Sequence, residues 1–384
     1  MTPLIYLDHN ATTPVDPRVL EVMLPFFSSE FGNASSHTHR FGWYASEAIE
    51  KSREQVASFI GCEPQEIIFT SGATESINLG IKGIAKSYSA KGKHIITVVT
   101  EHKAVLDVCN ELAEDGFEIS FLQVNREGIV DLAELKSLLR SDTILVAIML
   151  ANNETGTIQD IGAISELAHA NGSLLFSDTT QALGKTRVDV NELGIDCCCI
   201  SAHKFGGPKG AGALFIRRKN PRVTISPLIH GGGHERGLRS GTLNVPGIVG
   251  MGVAAELASS HLWENASRLS AWRTKMEQFI TEDDRGFING SVRDRLPNTS
   301  NILLKGIRAE KLIMKLPHLA FATGSACTSA LDQPSHVLRA MGLNEEEARS
   351  CIRISLGAST TEEEVLKARQ EIRDAVDEII ACSQ

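Results

Sequence analysis

Two residues that could perform covalent chemistry follow apolar runs of the sequence. Asp178 ends the run over residues 173–178, and Lys204 comes shortly after the run over 196–201. A desolvated lysine can form a Schiff base with an aldehyde, and a carboxylate can keep a pyridine nitrogen protonated. The two residues therefore suggest a site for a ligand that carries both groups. For two lone residues, a structural ion pair is the simpler interpretation.

A turn that could bind a phosphate follows the apolar run over residues 66–70. Residues 71–75 (Ser-Gly-Ala-Thr-Glu) open an expected helix, and their small side chains permit close approach of a ligand. The N-terminus of a helix offers unpaired N–H groups to a phosphate, and Thr74 adds a hydroxyl. Taken alone, the turn is more simply an ordinary helix cap. Together with Asp178 and Lys204, it favours a bound cofactor over an ion pair.

Three further side chains are candidates for chemistry, each with a simpler alternative. His102 could transfer protons, but a lone histidine at the start of a helix is more often a hydrogen-bonded structural residue. Arg353 interrupts an apolar run, so it could bind a substrate carboxylate bidentately; a strand arginine that faces solvent is equally compatible. Cys327 lies among small and polar residues typical of a mobile loop, from which its sulfur could swing. An isolated cysteine of this kind more often has no role.

The consecutive cysteines 197–199 suggest a metal or redox site, but strand geometry argues against it. Adjacent residues of a strand point to opposite faces, so Cys198 should diverge from Cys197 and Cys199. We therefore expect small buried apolar side chains and no metal ligands. The remaining cysteines are expected to be packing or surface residues on helices or strands: Cys62, Cys109, Cys351 and Cys382.

The charge balance of the chain limits its expected partners. The 384 residues include 38 basic and 47 acidic side chains, a formal net charge of −9. No basic surface for nucleic acid or an anionic membrane is therefore expected, and small molecules and proteins are the expected partners. The N-terminal residues show no signal peptide or membrane-spanning run, and the cysteine spacing fits no disulfide framework or zinc site. We expect a cytoplasmic protein with reduced thiols.

Short apolar runs alternate with amphipathic stretches through most of the chain, which predicts a mostly parallel sheet with helices on both faces. Strands are expected over residues 66–70, 94–99, 119–124, 143–150, 173–178, 196–201 and 211–216. Helices are expected over residues 43–60, 74–91, 132–139, 245–260, 262–281 and 361–382. The fold class is therefore α/β with a seven-stranded sheet. We expect a large domain over residues 15–260 and a smaller α+β domain from residues 1–14 and 261–384.

Seven motifs carry a resemblance to a known family. They are DHNATT (8–13), TSGATES (70–76), TEHKAV (100–105), NNE (152–154), SAHK (201–204), HGGGHERG (230–237) and GSACTS (324–329). Over nearly its whole length the chain resembles the class V aminotransferase-like enzymes of fold-type I, which use pyridoxal 5′-phosphate (PLP), and within them the NifS/IscS-like cysteine desulfurases. The resemblance implies that L-cysteine is converted to L-alanine and that its sulfur is carried on Cys327 as a persulfide before transfer to an acceptor protein.

The resemblance also implies roles for individual residues. Lys204 would hold PLP covalently and shuttle protons, Asp178 would pair with the pyridine nitrogen, and Gln181 would donate to the phenolic oxygen. His102 would stack on the ring and assist proton transfer. Thr74, Ser201 and His203 would bind the cofactor phosphate, and Ala73 would also bind the cofactor. Thr242 would reach the cofactor of the neighbouring subunit in a homodimer. Arg353 would bind the substrate carboxylate, with Asn153 close to it and to the ring.

The resemblance leaves several points open. The chain ends soon after its last expected helix, whereas many iron–sulfur cluster members have a longer tail that docks a scaffold protein. The acceptor could thus be a cluster scaffold, a tRNA-thiolation relay or a partner in another pathway. Thr179 stands where the family usually has alanine and is expected to add a hydroxyl near the ring. Selenocysteine lyase and aminotransferase activities fit the same fold, and a non-catalytic sulfur carrier is a further alternative; only the persulfide reaction requires Cys327.

Overall fold

The computed structural model describes residues 4–282, 285–323 and 333–382. These segments contain thirteen β-strands and thirteen α-helices. The strands are β1 (Ile5–Tyr6), β2 (Ile67–Thr70), β3 (His94–Val98), β4 (Glu118–Leu122), β5 (Thr143–Ala147), β6 (Leu174–Asp178), β7 (Cys197–Ser201), β8 (Gly212–Ile216), β9 (Gly286–Asn289), β10 (Thr299–Leu304), β11 (Leu319–Ala320), β12 (Ala322–Thr323) and β13 (Cys351–Ser355).

The helices agree with the expected positions where the sequence was amphipathic. They are α1 (Pro17–Met23), α2 (Pro25–Ser28), α3 (Arg40–Ile60), α4 (Ala73–Tyr88), α5 (Lys103–Glu114), α6 (Leu132–Leu138), α7 (Ile161–Ala170), α8 (Val245–Ser260), α9 (Leu262–Glu282), α10 (Ala309–Lys315), α11 (His336–Ala340), α12 (Glu345–Arg349) and α13 (Glu362–Ala381). No helix in the described segments combines the length and apolar character needed to cross a bilayer.

Seven strands form the central sheet, in the order β2-β8-β7-β6-β5-β3-β4. Strands β3 to β7 pair in parallel, while β8 runs antiparallel to both of its neighbours. The mostly parallel seven-stranded sheet expected from the sequence is therefore confirmed. The strand expected over residues 143–150 ends at Ala147, although the next residues stay buried and the N–H groups of Ile148 and Leu150 still donate to Phe176 and Asp178 of β6.

Helices cover both faces of this sheet and create two apolar cores. One core contains α3 and α7 residues with Cys198, and the other contains α4 and α5 residues with Cys197 and Cys199. The expected divergence of the three cysteines is confirmed. Cys62 was expected on a helix or strand, which is wrong. It follows Gly61, whose left-handed conformation (φ 74°) ends α3.

A second sheet, in the order β12-β13-β10-β9, is antiparallel and packs with α9, α10 and α13 around a separate core. Ile5 and Leu7 contribute to this core, because β1 pairs with β11. The N-terminal segment therefore packs against residues from the last third of the chain. The domain boundaries at residues 14 and 260 stay a prediction.

Candidate functional site

A cavity of about 450 Å³ lies where β6 and β7 end and where α4 and α5 begin. This is the carboxyl edge of the parallel strands, where α/β proteins bind ligands. The cavity is lined by predicted site residues from distant parts of the sequence: Ala73, Thr74, His102, Asn153, Asp178, Gln181, Ser201, His203 and Lys204. The structure thus brings together nine of the predicted site residues.

Asp178 is the last residue of β6 and is held by two donors. The parallel register pairs it with Cys199 of β7. The Thr180 N–H and the Cys199 S–H both donate to Oδ1, at 2.9 and 3.1 Å. Among the described residues, no hydrogen bond reaches Oδ2 of Asp178, although only 7% of the residue is exposed. The carboxylate therefore keeps one oxygen for a donor that enters the cavity.

Lys204 lies in a short 3-10 turn, Ala202–Lys204, that follows β7 directly. Its Nζ donates to the backbone oxygens of Asn10 and Ala11, at 2.6 and 2.8 Å. The Lys204 amine thereby contacts the N-terminal segment of the chain, in which Ala11 also lines the cavity. Asp178 and Lys204 both line this cavity, so a carboxylate and a primary amine face one ligand site.

The N-terminus of α4 has the features expected of a phosphate site. Gly72 is its cap residue, and within the part of the chain that the structure describes no side chain caps the first N–H groups. A Cβ at Gly212 would lie 2.5 Å from the Gly72 Cα, so β8 can pass this turn only with glycine there. Ser201, the last residue of β7, and His203, in the 3-10 turn that follows it, line the same cavity. Burial, followed by the charge of Lys204, lowers the pKa of His203 to about 4, so its ring is neutral at neutral pH.

His102 combines a helix-capping position with a place in the cavity lining, and its role in proton transfer stays a prediction. It is the N-cap of α5, and its Nδ1 accepts a hydrogen bond from the Ala104 N–H at 3.1 Å. Its ring also lines the cavity. Because Nδ1 acts as an acceptor, the neutral ring carries its proton on Nε2. The capping bond therefore fixes both the ring position and the tautomer.

Arg353 is buried, so the solvent-facing alternative is wrong. The residue is 1% exposed in β13. Its Nη2 donates to Asp8 Oδ1 at 2.6 Å, and its Nη1 donates to the Asn153 backbone oxygen at 3.1 Å. Arg353 does not line the cavity itself. It contacts the backbone of Asn153, and Asn153 is a lining residue. Its role in binding a carboxylate stays a prediction.

Three predicted positions lie outside the cavity or outside the described residues. Cys327 belongs to residues 324–332, which the structure does not describe. Thr242 is exposed and is not a lining residue. The expectation that Thr179 adds a hydroxyl near the ring is wrong: its Oγ1 donates to the Cys199 backbone oxygen at 2.7 Å, because the chain turns sharply after Asp178 and buries this side chain completely.

Two residues that connect the site, Asn10 and Lys185, had no predicted role. Asn10 accepts hydrogen bonds from Lys204 and Gln181 on its backbone oxygen and from Lys185 on its side chain. Lys185 also donates to Gln181. Asn10 stands in the DHNATT motif, which was a usable signal. Nothing in the local sequence marks Lys185.

The described chain approaches the cavity on both sides of residues 324–332. Before this segment, Ala322 of β12 pairs with Arg353 of β13. After it, Ser335 caps α11 and its Oγ donates to Glu154 Oε2 at 2.5 Å. Glu154 directly follows Asn153 and is buried, and burial raises the pKa of its carboxyl group. Both flanks of the segment that contains Cys327 are thus attached next to the site.

Known proteins are similar to this chain in sequence and architecture. A family model described as aminotransferase class-V matches residues 5–367. A relative named cysteine desulfurase IscS, from Escherichia coli (strain K12 / DH10B), is 51% identical over 374 residues, which cover 97% of this chain and 92% of the relative. A solved NifS-like protein aligns with a TM-score of 0.91 at 40% identity, over 97% of this chain and 99% of its own. SspA, solved in complex with cysteine, aligns with a TM-score of 0.82 at 37% identity, over 93% and 100%.

Proposed function

Because the chain belongs to the class-V aminotransferase family, and within it to the NifS/IscS-like cysteine desulfurases, we propose that its cavity binds PLP and L-cysteine and that Cys327 receives the sulfur. The enzyme converts L-cysteine to L-alanine. The observation that carries the residue assignments is the convergence of Lys204, Asp178 and the uncapped N-terminus of α4 on one cavity.

The donors of the cavity fit PLP. Asp178 Oδ2, which has no donor among the described residues, suits a protonated ring nitrogen. The Lys204 amine suits the aldehyde carbon. The N–H groups of the α4 terminus suit the phosphate, together with Thr74, Ser201 and His203. When bound, PLP supplies an electron sink for the substrate Cα.

Two side chains are assigned to proton movement. Lys204 Nζ is assigned as the base and acid at the substrate Cα, because Lys204 lines the cavity together with Asp178 and directly follows β7. His102 carries its transferable proton on Nε2, because its Nδ1 accepts the hydrogen bond from the Ala104 N–H. Gln181 would donate to the ring oxygen from its amide Nε2.

Substrate binding is assigned to Arg353 and Asn153. The guanidinium of Arg353 is already oriented by Asp8 and by the Asn153 backbone, and its Nε has no hydrogen-bond partner among the described residues. A substrate carboxylate at Asn153 would give the buried cation a second anionic neighbour. Arginine suits this task because its planar fork matches a carboxylate.

Cys327 is assigned as the nucleophile because both flanks of its segment are attached beside the site. Its thiolate attacks the substrate sulfur, and a new S–S bond forms. The substrate C–S bond breaks, and its electron pair stays with the carbon, which is later protonated to give alanine. The sulfur then passes to an acceptor protein, for which an iron–sulfur scaffold is one candidate.

The experiment compares the alanine and sulfide released from L-cysteine by wild type, Cys327→Ala and Cys382→Ala, with PLP and a reductant that frees the persulfide sulfur as sulfide. Cys382 is the matched control, because it is a free, exposed cysteine at the end of α13. Wild type and Cys382→Ala are expected to be equally active. Cys327→Ala is expected to keep its PLP and to form neither product. Undiminished activity of Cys327→Ala would contradict the assignment and would favour chemistry that needs no protein thiol.

We also propose that the enzyme is a homodimer. Large apolar side chains are exposed along residues 20–44, and the rings of Phe31 and Phe41 lie in contact, with centroids 5.3 Å apart. Exposed apolar clusters of this kind mark interaction surfaces. Ser35 in the same segment bonds to His234 at 3.0 Å, so the surface adjoins the loop that leads to Thr242. A second copy on this surface would bring Thr242 towards the neighbouring cavity.

Light scattering tests the dimer. Wild type is expected at twice the monomer mass, and Phe41→Glu is expected to shift the protein towards monomer, because it places a charge in the apolar surface. Phe287→Glu is the control, since Phe287 is similarly exposed but lies on the second sheet. A monomeric wild type, or a Phe41→Glu protein that dimerises as well as Phe287→Glu, would refute the proposed surface.

A further inference from the structure

Lys185 is a buried lysine that the proposed reaction does not use. It is 7% exposed and lies in the turns that follow β6, below the cavity. Its Nζ donates to Gln181 Oε1 at 2.5 Å and to Asn10 Oδ1 at 3.1 Å. Both acceptors are side-chain amides that belong to the connections of the candidate site. A lysine in such a position needs an explanation, because buried lysines are rare without a paired charge.

An ion pair does not provide that explanation. Among the ion pairs of the described residues, none includes Lys185. Burial is the main cause of the lowered pKa of its amino group, and the positive charges of Lys204 and Arg353 lower it further. A neutral amine has two N–H groups, and the two amide oxygens account for both. The geometry therefore explains this side chain as a donor of two hydrogen bonds, whatever its charge.

The first of these bonds fixes the orientation of the Gln181 amide. Lys185 occupies the oxygen, so the amide nitrogen must lie on the other side, where it donates to the Asn10 backbone oxygen at 2.9 Å. An amide nitrogen has a second N–H, and Gln181 lines the cavity. A flipped amide would instead point its oxygen at the Asn10 carbonyl and leave Lys185 facing an N–H group. Lys185 thus makes Gln181 a donor towards the cavity.

The second bond holds Asn10, which orients the Lys204 amine. Asn10 Oδ1 accepts from Lys185 and from Asn298. Its Nδ2 donates to Thr299 Oγ1 and to the Asn153 backbone, and its backbone oxygen accepts from Lys204. The side-chain oxygen, the side-chain nitrogen and the backbone oxygen of Asn10 thus all have hydrogen-bond partners in this one conformation. Removing Lys185 would leave Asn10 Oδ1 with a single donor.

We propose that Lys185 is a positioning residue of the cofactor site: by donating to Gln181 and Asn10, it sets Gln181 as the donor to the ring oxygen of PLP and holds the backbone that orients Lys204. This inference rests on the proposed function. It does not make Lys185 a catalytic residue, because Lys185 does not line the cavity. Its effect reaches PLP only through its two partners.

The test is a double-mutant cycle read from the absorbance of bound PLP. Lys185→Met removes both donors and keeps the length of the side chain; Gln181→Leu removes the proposed partner. The pH midpoint of the PLP absorbance is measured for wild type, both single variants and the double variant, with kcat and KM for L-cysteine. Losing a donor to the ring oxygen favours the protonated form of bound PLP. Each single variant is therefore expected to raise the midpoint, by about one pH unit.

The proposal requires that the effects are not additive. The double variant is expected to shift the midpoint by less than the sum of the two single shifts and to lie close to Gln181→Leu, because Lys185 then acts only through Asn10. Lys185→Gln keeps an N–H donor and is expected to return the midpoint part of the way to wild type. The kcat of Lys185→Met should fall several-fold with little change in KM.

Two results would overturn the proposal. One is a wild-type midpoint and kcat in Lys185→Met; the other is a fully additive double variant, which would mean that Lys185 acts independently of Gln181. If Lys185→Met does not fold, the smaller Lys185→Leu provides the same comparison. Failure of the proposed function would be visible separately, because wild type itself would then form no alanine from L-cysteine.

Discussion

The S–H group of Cys199 is expected to assist the reaction by holding Asp178. Cys199 is fully buried and donates to Asp178 Oδ1 at 3.1 Å, while burial raises the pKa of its thiol well above the ordinary value. The thiol therefore stays protonated and remains a donor under all assay conditions. With the Thr180 N–H, it fixes Oδ1 and leaves Oδ2 for the ring nitrogen. Cys199→Ala removes one of these two donors.

The size of the effect follows from the strength of that bond. Hydrogen bonds to charged groups contribute about 1.5–3 kcal/mol, and a thiol is a weak donor, so about 1 kcal/mol is a reasonable value here. Since about 1.4 kcal/mol corresponds to a tenfold change in rate, Cys199→Ala should lower kcat about fivefold. Cys199→Ser keeps a donor and should recover most of the rate.

Cys197→Ala is the matched control, because Cys197 is also fully buried and lies on the same face of β7, in the same apolar core. Both alanine variants lose a sulfur from this core, but Cys197 has no bond to Asp178. The assay is kcat for alanine formation, with the absorbance of bound PLP recorded in parallel. Equal losses in Cys197→Ala and Cys199→Ala would refute the reasoning and attribute the effect to packing.

Two further predictions concern stability. Glu235 accepts hydrogen bonds from both Arg53 Nη atoms and from the Phe69 N–H. Glu235→Ala leaves a buried cation and should lower the free energy of unfolding in urea by about 3–5 kcal/mol. Arg53→Met combined with Glu235→Leu should recover much of this loss, and a Glu235→Ala protein as stable as wild type would contradict the prediction. The hydrogen bond to Asp196 raises the pKa of His169, so its stabilisation is fully present below the unfolded pKa and is lost as pH rises through the folded pKa. The Tm difference between wild type and His169→Gln should therefore shrink from about pH 5 to about pH 9, and a constant difference would count against it.

The sequence predicted the residues whose positions follow from strand geometry. Asp178 and Lys204 were placed correctly in one cavity because the carboxyl ends of parallel strands meet at one edge of a sheet. The alternation of the three cysteines followed from the two-residue period of a strand. These inferences need only local sequence and a sheet direction.

The contacts that the sequence did not predict join distant segments. The Arg353 partner Asp8 is 345 residues away along the chain, so the choice between a solvent-facing and a buried arginine depended on the folded chain. Lys185 reaches Asn10 in the same way. Thr179 was misplaced because its direction depends on a turn after Asp178, and the strand pattern ends there.

The position of Asn10 has a consequence for synthesis of the protein. Its N–H donates to Ser355 Oγ, which is 345 residues later, and its side chain bonds to Thr299. On a ribosome, the segment that orients Lys204 is therefore among the first to emerge but obtains these partners among the last. The strands that carry Asp178 and Lys204 can form the central sheet much earlier. The Asn10 contacts can therefore be completed only after β13 has left the ribosome. A nascent chain that stops before β13 would lack the Ser355 partner of Asn10, even if its central sheet had formed.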